Sequence, residues 1–190
     1  KPGEREGQKE HYVMTEKIIF AGFGGQGVLL SGKLLCIAGM REGKFVSHIP
    51  SYGAEMRGGT ANCQVIISDE EVASPVVFHP DIAVVLNTPS LIKFEPRIKE
   101  GGLLIYNSSL IDQKPSRTDI TVVDIAANDI SEEQGSNRSA NMAVIGKLLK
   151  HKPELASLDS AIAALEEAVS ARNRKFNPVN EKVLRAGDAA

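Results

Sequence analysis

Tryptophan is absent from the 190 residues, and aromatic side chains make up only 5% of them. Nucleic acid is not an expected partner. The charge balance decides this: 22 basic residues stand against 24 acidic ones, a net charge of −2, so no basic excess is available for a phosphate backbone. Cysteine occurs twice, at Cys36 and Cys63, with no CxxC pair and no histidine at ligand spacing. Neither a metal site nor an iron–sulfur cluster held by this chain alone is expected, and the two cysteines read as reduced core thiols. No apolar run approaches the roughly 20 residues that cross a bilayer. The charged stretch Lys1 to Val13 lacks the apolar centre of a signal peptide. A cytoplasmic protein without membrane contact is the expectation.

What is present suits one folded unit. Hydrophobic residues at 42% and charged residues at 24% over this length build one core and leave little for a second. Residues 1–13, with Pro2, Gly3 and Gly7 and no hydrophobic period, read as a disordered tail. Residues 14–190 then form a single domain, with Met14 as the natural start. Short apolar runs predict strands over Ile18–Phe20, Lys44–Ile49, Cys63–Ser68, Ile82–Leu86, Leu103–Asn107 and Ile120–Ile125. Helical spacing covers Val28 to Ala38, then Ser90–Lys99, Ser139–Lys150, Asp159–Ser170 and, after Pro178, Asn180–Ala186. This succession predicts an α/β fold: a Rossmann-like, mostly parallel sheet flanked by helices, with a helical C-terminal third. The strand ending at Ser68 follows a long loop rather than a helix, which allows an antiparallel excursion there.

The turn Gly22-Phe-Gly24-Gly25-Gln26-Gly27 follows a strand and opens a helix, the setting of a dinucleotide fingerprint. Its glycines permit close backbone approach, and the free N–H groups of the helix start attract an anion. A dinucleotide also needs an acid about 20 residues on, at the end of the second strand. Here that strand end reads Val46-Ser-His-Ile49, and Glu42 precedes the strand. Binding a phosphate of another ligand, receiving a partner's backbone, and merely allowing tight strand-to-helix packing all remain open for this turn.

Pro50 to Asn62 is the most unusual stretch, because a long glycine-rich connection between strands is commonly functional. Arg57, beside Gly58 and Gly59, offers a guanidinium next to flexible N–H groups, which suits a phosphate or carboxylate. Glu55 can pair with Arg57 or orient it. Tyr52 lacks the lysine four positions on that a tyrosine-dependent dehydrogenase requires, since Met56 stands there. His48 and His79 are single histidines near prolines, and no nucleophile, base and orienting acid come together as a set. No catalytic residue is assigned to this chain.

Two stretches, Phe20-Ala-Gly-Phe-Gly-Gly-Gln-Gly27 and Ser51-Tyr-Gly-Ala-Glu-Met-Arg-Gly-Gly-Thr-Ala-Asn-Cys63, resemble the hallmark segments of the gamma subunit of 2-oxoacid:ferredoxin oxidoreductases. The resemblance continues through Ser74-Pro75, Pro80-Asp81, Gly101 to Asn107 and Asn141-Met142, so it spans nearly everything from Thr15 to Gly187. It implies a hetero-oligomeric enzyme that converts a 2-oxoacid and coenzyme A to acyl-CoA and CO2 while reducing ferredoxin. Thiamine diphosphate and [4Fe-4S] clusters are then carried by alpha, beta and ferredoxin-like delta partner subunits. This chain binds no cofactor of its own and is inactive alone. Carried onto this sequence, Gly24, Gly25, Gln26 and Gly27 form one loop and Tyr52, Glu55, Arg57, Gly58 and Gly59 a second, serving either coenzyme A or a subunit interface. The run Met56 to Cys63 is similar to the 2-oxoglutarate and branched-chain types, with 2-oxoglutarate preferred. Two alternatives stand beside this reading: a subunit of an indolepyruvate oxidoreductase, and an independent nucleotide-binding protein. An isolated chain that homodimerises would be burying surface meant for absent subunits.

Overall fold

The computed structural model describes residues 13–52 and 60–190. In β1 (Thr15–Phe23), Ile18, Ile19, Phe20 and Ala21 are all buried, which requires cover on both faces and places the strand at the sheet centre. The others are β2 (Phe45–Tyr52), β3 (Thr60–Ser68), β4 (Ile82–Val85), β5 (Leu103–Asn107) and β6 (Thr121–Ile125). Their order across the sheet is β2-β3-β1-β4-β5-β6. β1, β4, β5 and β6 pair in parallel, whereas β3 runs antiparallel to both β1 and β2. The expected mostly parallel sheet is therefore present, and the antiparallel excursion falls on the strand that ends at Ser68.

The two faces are covered unequally. Ile18 and Phe20 of β1 belong to a large core with α1 (Val28–Arg41), α4 (Ala140–His151), α5 (Leu158–Ala168) and α6 (Asn177–Ala189). Ile19 and Ala21 point to a smaller core closed by α2 (Thr88–Phe94) and by Val77, Ile98 and Ile111 from irregular segments. α4 and α6 touch backbone to backbone: a Cβ on Gly146 would lie 2.1 Å from the Leu184 carbonyl oxygen, and one on Gly187 would lie 2.1 Å from that of Ala143.

Several boundaries differ from expectation, each for a local reason. The helix expected over Ser90–Lys99 begins at Thr88, where the Asn87 side chain accepts the Ser90 N–H, and gives way to a 3-10 turn at Glu95–Arg97. Pro96, which has no N–H to continue an α-helix, lies in that turn. The last helix starts at Asn177 rather than Asn180, because Pro178 sits within its first turn, where a missing N–H costs nothing. β2 continues through Pro50 to Tyr52, which an edge strand tolerates. A short α3 (Ala127–Glu133) was not apparent from periodicity.

Candidate functional site: the glycine turn and the crevice beside it

The carboxyl ends of β1 and β4 meet where the chain's course divides. From β1 it leaves through α1 towards β2, and from β4 it leaves through α2 towards β5. Such a switch point is where open α/β sheets receive ligands. The glycine turn occupies it. Gly25 and Gly27 have φ of 97° and 75°, in the left-handed region that residues with a Cβ avoid. A Cβ on Gly25 would meet nothing, but one on Gly27 would lie 2.5 Å from Asn141 Nδ2. Gly24 and Gly25 are exposed, and Gln26 and Gly27 are half-buried.

Gln26 fastens the turn. Its Oε1 accepts the Phe23 N–H at 2.6 Å, and its Nε2 donates to the Leu86 carbonyl at 3.4 Å. Asn87 Nδ2 also donates to Gln26 Oε1, at 3.4 Å. Beyond it, α1 starts after Gly27 with no side-chain cap and no acidic residue in its first turn, so its first N–H groups are left for solvent or an anion. Asn141 Nδ2 donates to the Gly27 carbonyl at 3.3 Å and ties the turn to α4. Gly24, Gly25, Gln26 and Gly27 thus sit together as the sequence implied.

Carboxamides continue around the crevice. Asn107, at the end of β5, donates to Asn128 Oδ1 at 2.8 Å and accepts the Ala127 N–H at 3.1 Å. A cavity of about 120 Å³ lies among Gly25, Gln26, Asn107, Asn128 and Arg138. Asn87, Asn128 and Arg138 were missed as site residues: their separations in sequence form no pattern, and only the parallel strand ends bring them together.

The second predicted loop is anchored beside the first. Phe23, the last residue of β1, pairs with Thr60, the first of β3, while Tyr52 ends β2 opposite Ala61. Residues separated by 37 positions are therefore neighbours at the glycine turn. Glu55, Arg57, Gly58 and Gly59 lie outside the described residues.

The missing acid has a structural counterpart. β3 stands between β1 and β2, so the end of β2 is two strands from the crevice, about 9–10 Å. Glu42 lies at the opposite end of α1, where its Oε1 accepts the Ser157 N–H at 2.6 Å. Burial pushes its pKa up, but hydrogen bonds from Ser157 and Ser160 and the charge of Lys44 outweigh that and hold it below the usual range. Below the turn, Cys63 donates to the Val28 carbonyl at 3.4 Å and Cys36 to that of Ser47 at 3.6 Å. Both are free and buried, and burial raises each thiol to about 12, which keeps them protonated. His48 Nε2 is buried without a partner, 2.9 Å from where a Gly32 Cβ would stand. Burial, then the charge of Lys33, lowers its pKa.

Fold and site define a Rossmann-like domain whose glycine turn opens a helix with no side-chain cap, and no acidic residue stands in β2. A family model described as pyruvate ferredoxin/flavodoxin oxidoreductase matches residues 17–190, and the chain belongs to this family. It is 37% identical over 171 residues to the ketoisovalerate oxidoreductase subunit VorA of Methanothermobacter marburgensis, covering 90% of this chain and 35% of VorA. It is 36% identical over 169 residues to the 2-oxoglutarate synthase subunit KorC of Methanocaldococcus jannaschii, covering 84% of this chain and 90% of KorC. Its fold matches that of the 2-oxoglutarate:ferredoxin oxidoreductase of Magnetococcus marinus, solved with 2-oxoglutarate, coenzyme A and succinyl-CoA bound. That match has a TM-score of 0.82 at 24% identity, over 92% of this chain and 30% of the other. The chain thus spans about a third of VorA and of the Magnetococcus chain. No helix among the described residues is long and apolar enough to cross a membrane.

Proposed function

We propose that this chain is the gamma-type subunit of a cytoplasmic 2-oxoacid:ferredoxin oxidoreductase. In the assembled enzyme a 2-oxoacid and coenzyme A become acyl-CoA and CO2, and the two electrons released pass to two oxidised ferredoxins. Thiamine diphosphate and [4Fe-4S] clusters belong to alpha, beta and delta partners in this reading, and this chain receives coenzyme A. The observation that carries the coenzyme A role is the uncapped start of α1 at the glycine turn, directly beside the anchor of the Arg57 loop. Uncapped backbone N–H groups at a helix start suit a pyrophosphate, and a guanidinium is the side chain best able to share its charge. The coenzyme A in the Magnetococcus enzyme is in keeping with that role. 2-Oxoglutarate is the proposed acid. Likeness to VorA favours a branched-chain 2-oxoacid as the second reading.

Isolation of this chain from its native extract tests the assembly. Partners bearing thiamine diphosphate and iron–sulfur clusters should come with it, together with CoA-dependent oxidation of 2-oxoglutarate in preference to 2-oxoisovalerate. A chain that comes down alone with a bound dinucleotide would overturn the reading. In the assembled enzyme, Arg57→Ala should raise the KM for coenzyme A about tenfold or more, the cost of one charge-assisted phosphate contact, and leave the KM for the 2-oxoacid unchanged. Weakened assembly with unchanged coenzyme A kinetics would assign Arg57 to a subunit interface.

A further inference from the structure

Strand pairing fixes which residues share the side of the sheet that α2 closes. Ile19 of β1 points to that side and pairs with Gln64 of β3, which in turn pairs with Ile49 of β2. Alternation along the strands then places Phe45, Ser47, Ile49 and Ser51 of β2 on the same side, together with their β3 partners. None of these residues is charged. Among the described residues no helix lies over them, because α1, α4, α5 and α6 pack on the opposite side and α2 packs on β4 and β1.

An irregular segment crosses β3 instead. Val77 donates its N–H to Gln64 Oε1 at 2.6 Å, and the Arg97 guanidinium donates to the carbonyls of Val77 and Phe78 at 3.2 and 3.0 Å. Held from both sides, Val77 is buried, while Val76 and Phe78 beside it are 41% and 70% exposed. Ile49, the neighbour of Gln64, is half-buried, and Phe45 further along β2 is exposed. The same bias holds for the molecule. Of the ten large apolar side chains exposed among the described residues, six belong to this side: Phe23, Phe45, Val76, Phe78, Ile92 and Val122. The side with four helices exposes Met40 and Phe176.

Eight residues of β2 run about 26 Å, and six strands span about 24 Å, which is the scale of one standard interface of roughly 800 Å² on each partner. A stripe without charges offers no ion pair, so its counterpart is an apolar surface and not a strongly acidic or basic one. The matched relatives show what is available to cover it. This chain accounts for 35% of VorA and 30% of the Magnetococcus chain, so in both the domain is joined to a larger polypeptide. We propose that the β2–β3 stripe, with Val76 and Phe78 at its edge, docks an apolar surface of the partner polypeptide that corresponds to the rest of VorA. The proposal rests on the function given above and assigns the face through which this chain enters that assembly.

Tagged full chain, expressed in its native cell and isolated with its partners, tests this, the partner being identified by mass and by its thiamine diphosphate. Phe45 and Phe78 are exposed, so Phe45→Arg and Phe78→Arg should keep the melting temperature of the parent. Each should lower the partner recovered per tagged chain about tenfold or more, because a charge is left unpaired in an apolar contact. Met40→Arg, on the side with four helices, should recover the partner in full. Hydroxyl-radical labelling of the parent gives an independent reading: Phe45 and Phe78 should be modified in the dilute isolated chain and protected in the complex. Full recovery with both face variants, or phenylalanines that stay reactive in the complex, overturns the proposal while the function stands. A Phe45→Cys variant that forms a disulfide between two copies inside the complex also overturns it, since a second copy would then cover the face. A parent chain that brings no thiamine-bearing partner sinks the function, and the proposal with it.

Discussion

Gly25 and Gly27 have similar backbone conformations and different surroundings, which separates their roles at the scale of single residues. Both lie at positive φ, where a Cβ costs about 1–2 kcal/mol. Only Gly27 also meets a neighbour, the Asn141 side chain. Gly27→Ala should therefore lower stability by more than Gly25→Ala in denaturant titration, while Gly25→Ala, exposed at the crevice, should weaken coenzyme A binding with the smaller loss of stability. Equal destabilisation would remove the role given to Asn141. His48 supports a pH prediction. Its folded pKa is lowered, so the unfolded chain takes up the proton first as pH falls below about 6.5. Stability from the neutral ring is fully present above that value and is lost as pH falls towards the folded pKa. Lys33 repels the imidazolium, and the neighbouring Cys63 thiol stays uncharged and offers it no compensation. The thermal midpoint should fall with pH in this window, and His48→Gln should flatten the dependence.

Among the elements, β3 decides what stands beside the glycine turn. Its antiparallel insertion between β1 and β2 moves the second strand's end away from the crevice and brings Thr60 to Phe23. The fingerprint glycines and the lack of an acid at the end of the second strand were readable in sequence, but the distance of that strand end from the crevice is a property of strand order. Elsewhere the sequence signals were local and sufficient: no proline interrupts α1, and its Val28, Leu34, Leu35 and Ala38 are buried as their spacing required. The contact of α4 with α6 was not readable, because Gly146 and Gly187 are 41 positions apart and each looks like a weak point in its own helix. In the fold they are the contact itself. Gly146→Ala should destabilise the chain by about 1–3 kcal/mol, despite alanine's better helix propensity, because the added methyl meets the backbone of α6. A stabilised Gly146→Ala variant would show that the helices can separate freely.

For the whole molecule, the unequal cover of the sheet sets the expectation for assembly. Phe78 and Ile92 are 70% and 58% exposed, and both belong to segments on the side closed by α2 rather than the side with four helices. A contiguous exposed apolar patch marks surface that a partner covers, and the association of the isolated chain tests whether Phe78 and Ile92 belong to one. The isolated chain should self-associate in sedimentation velocity, and Phe78→Ser together with Ile92→Ser should reduce that association without lowering the melting temperature. Association unchanged by both substitutions would place the contact elsewhere. The sequence by itself determined the class of fold, the glycine turn, the reduced cysteines and the family, because each follows from contiguous residues: apolar runs, a turn composition, a thiol without partners, or a motif. Only the tertiary structure decided strand order, the gathering of Gln26, Asn87, Asn107, Asn128 and Arg138, and the cavity beside Arg138. Those depend on which strand lies beside which, and that is settled by how apolar faces are buried together across the whole chain rather than by any local pattern.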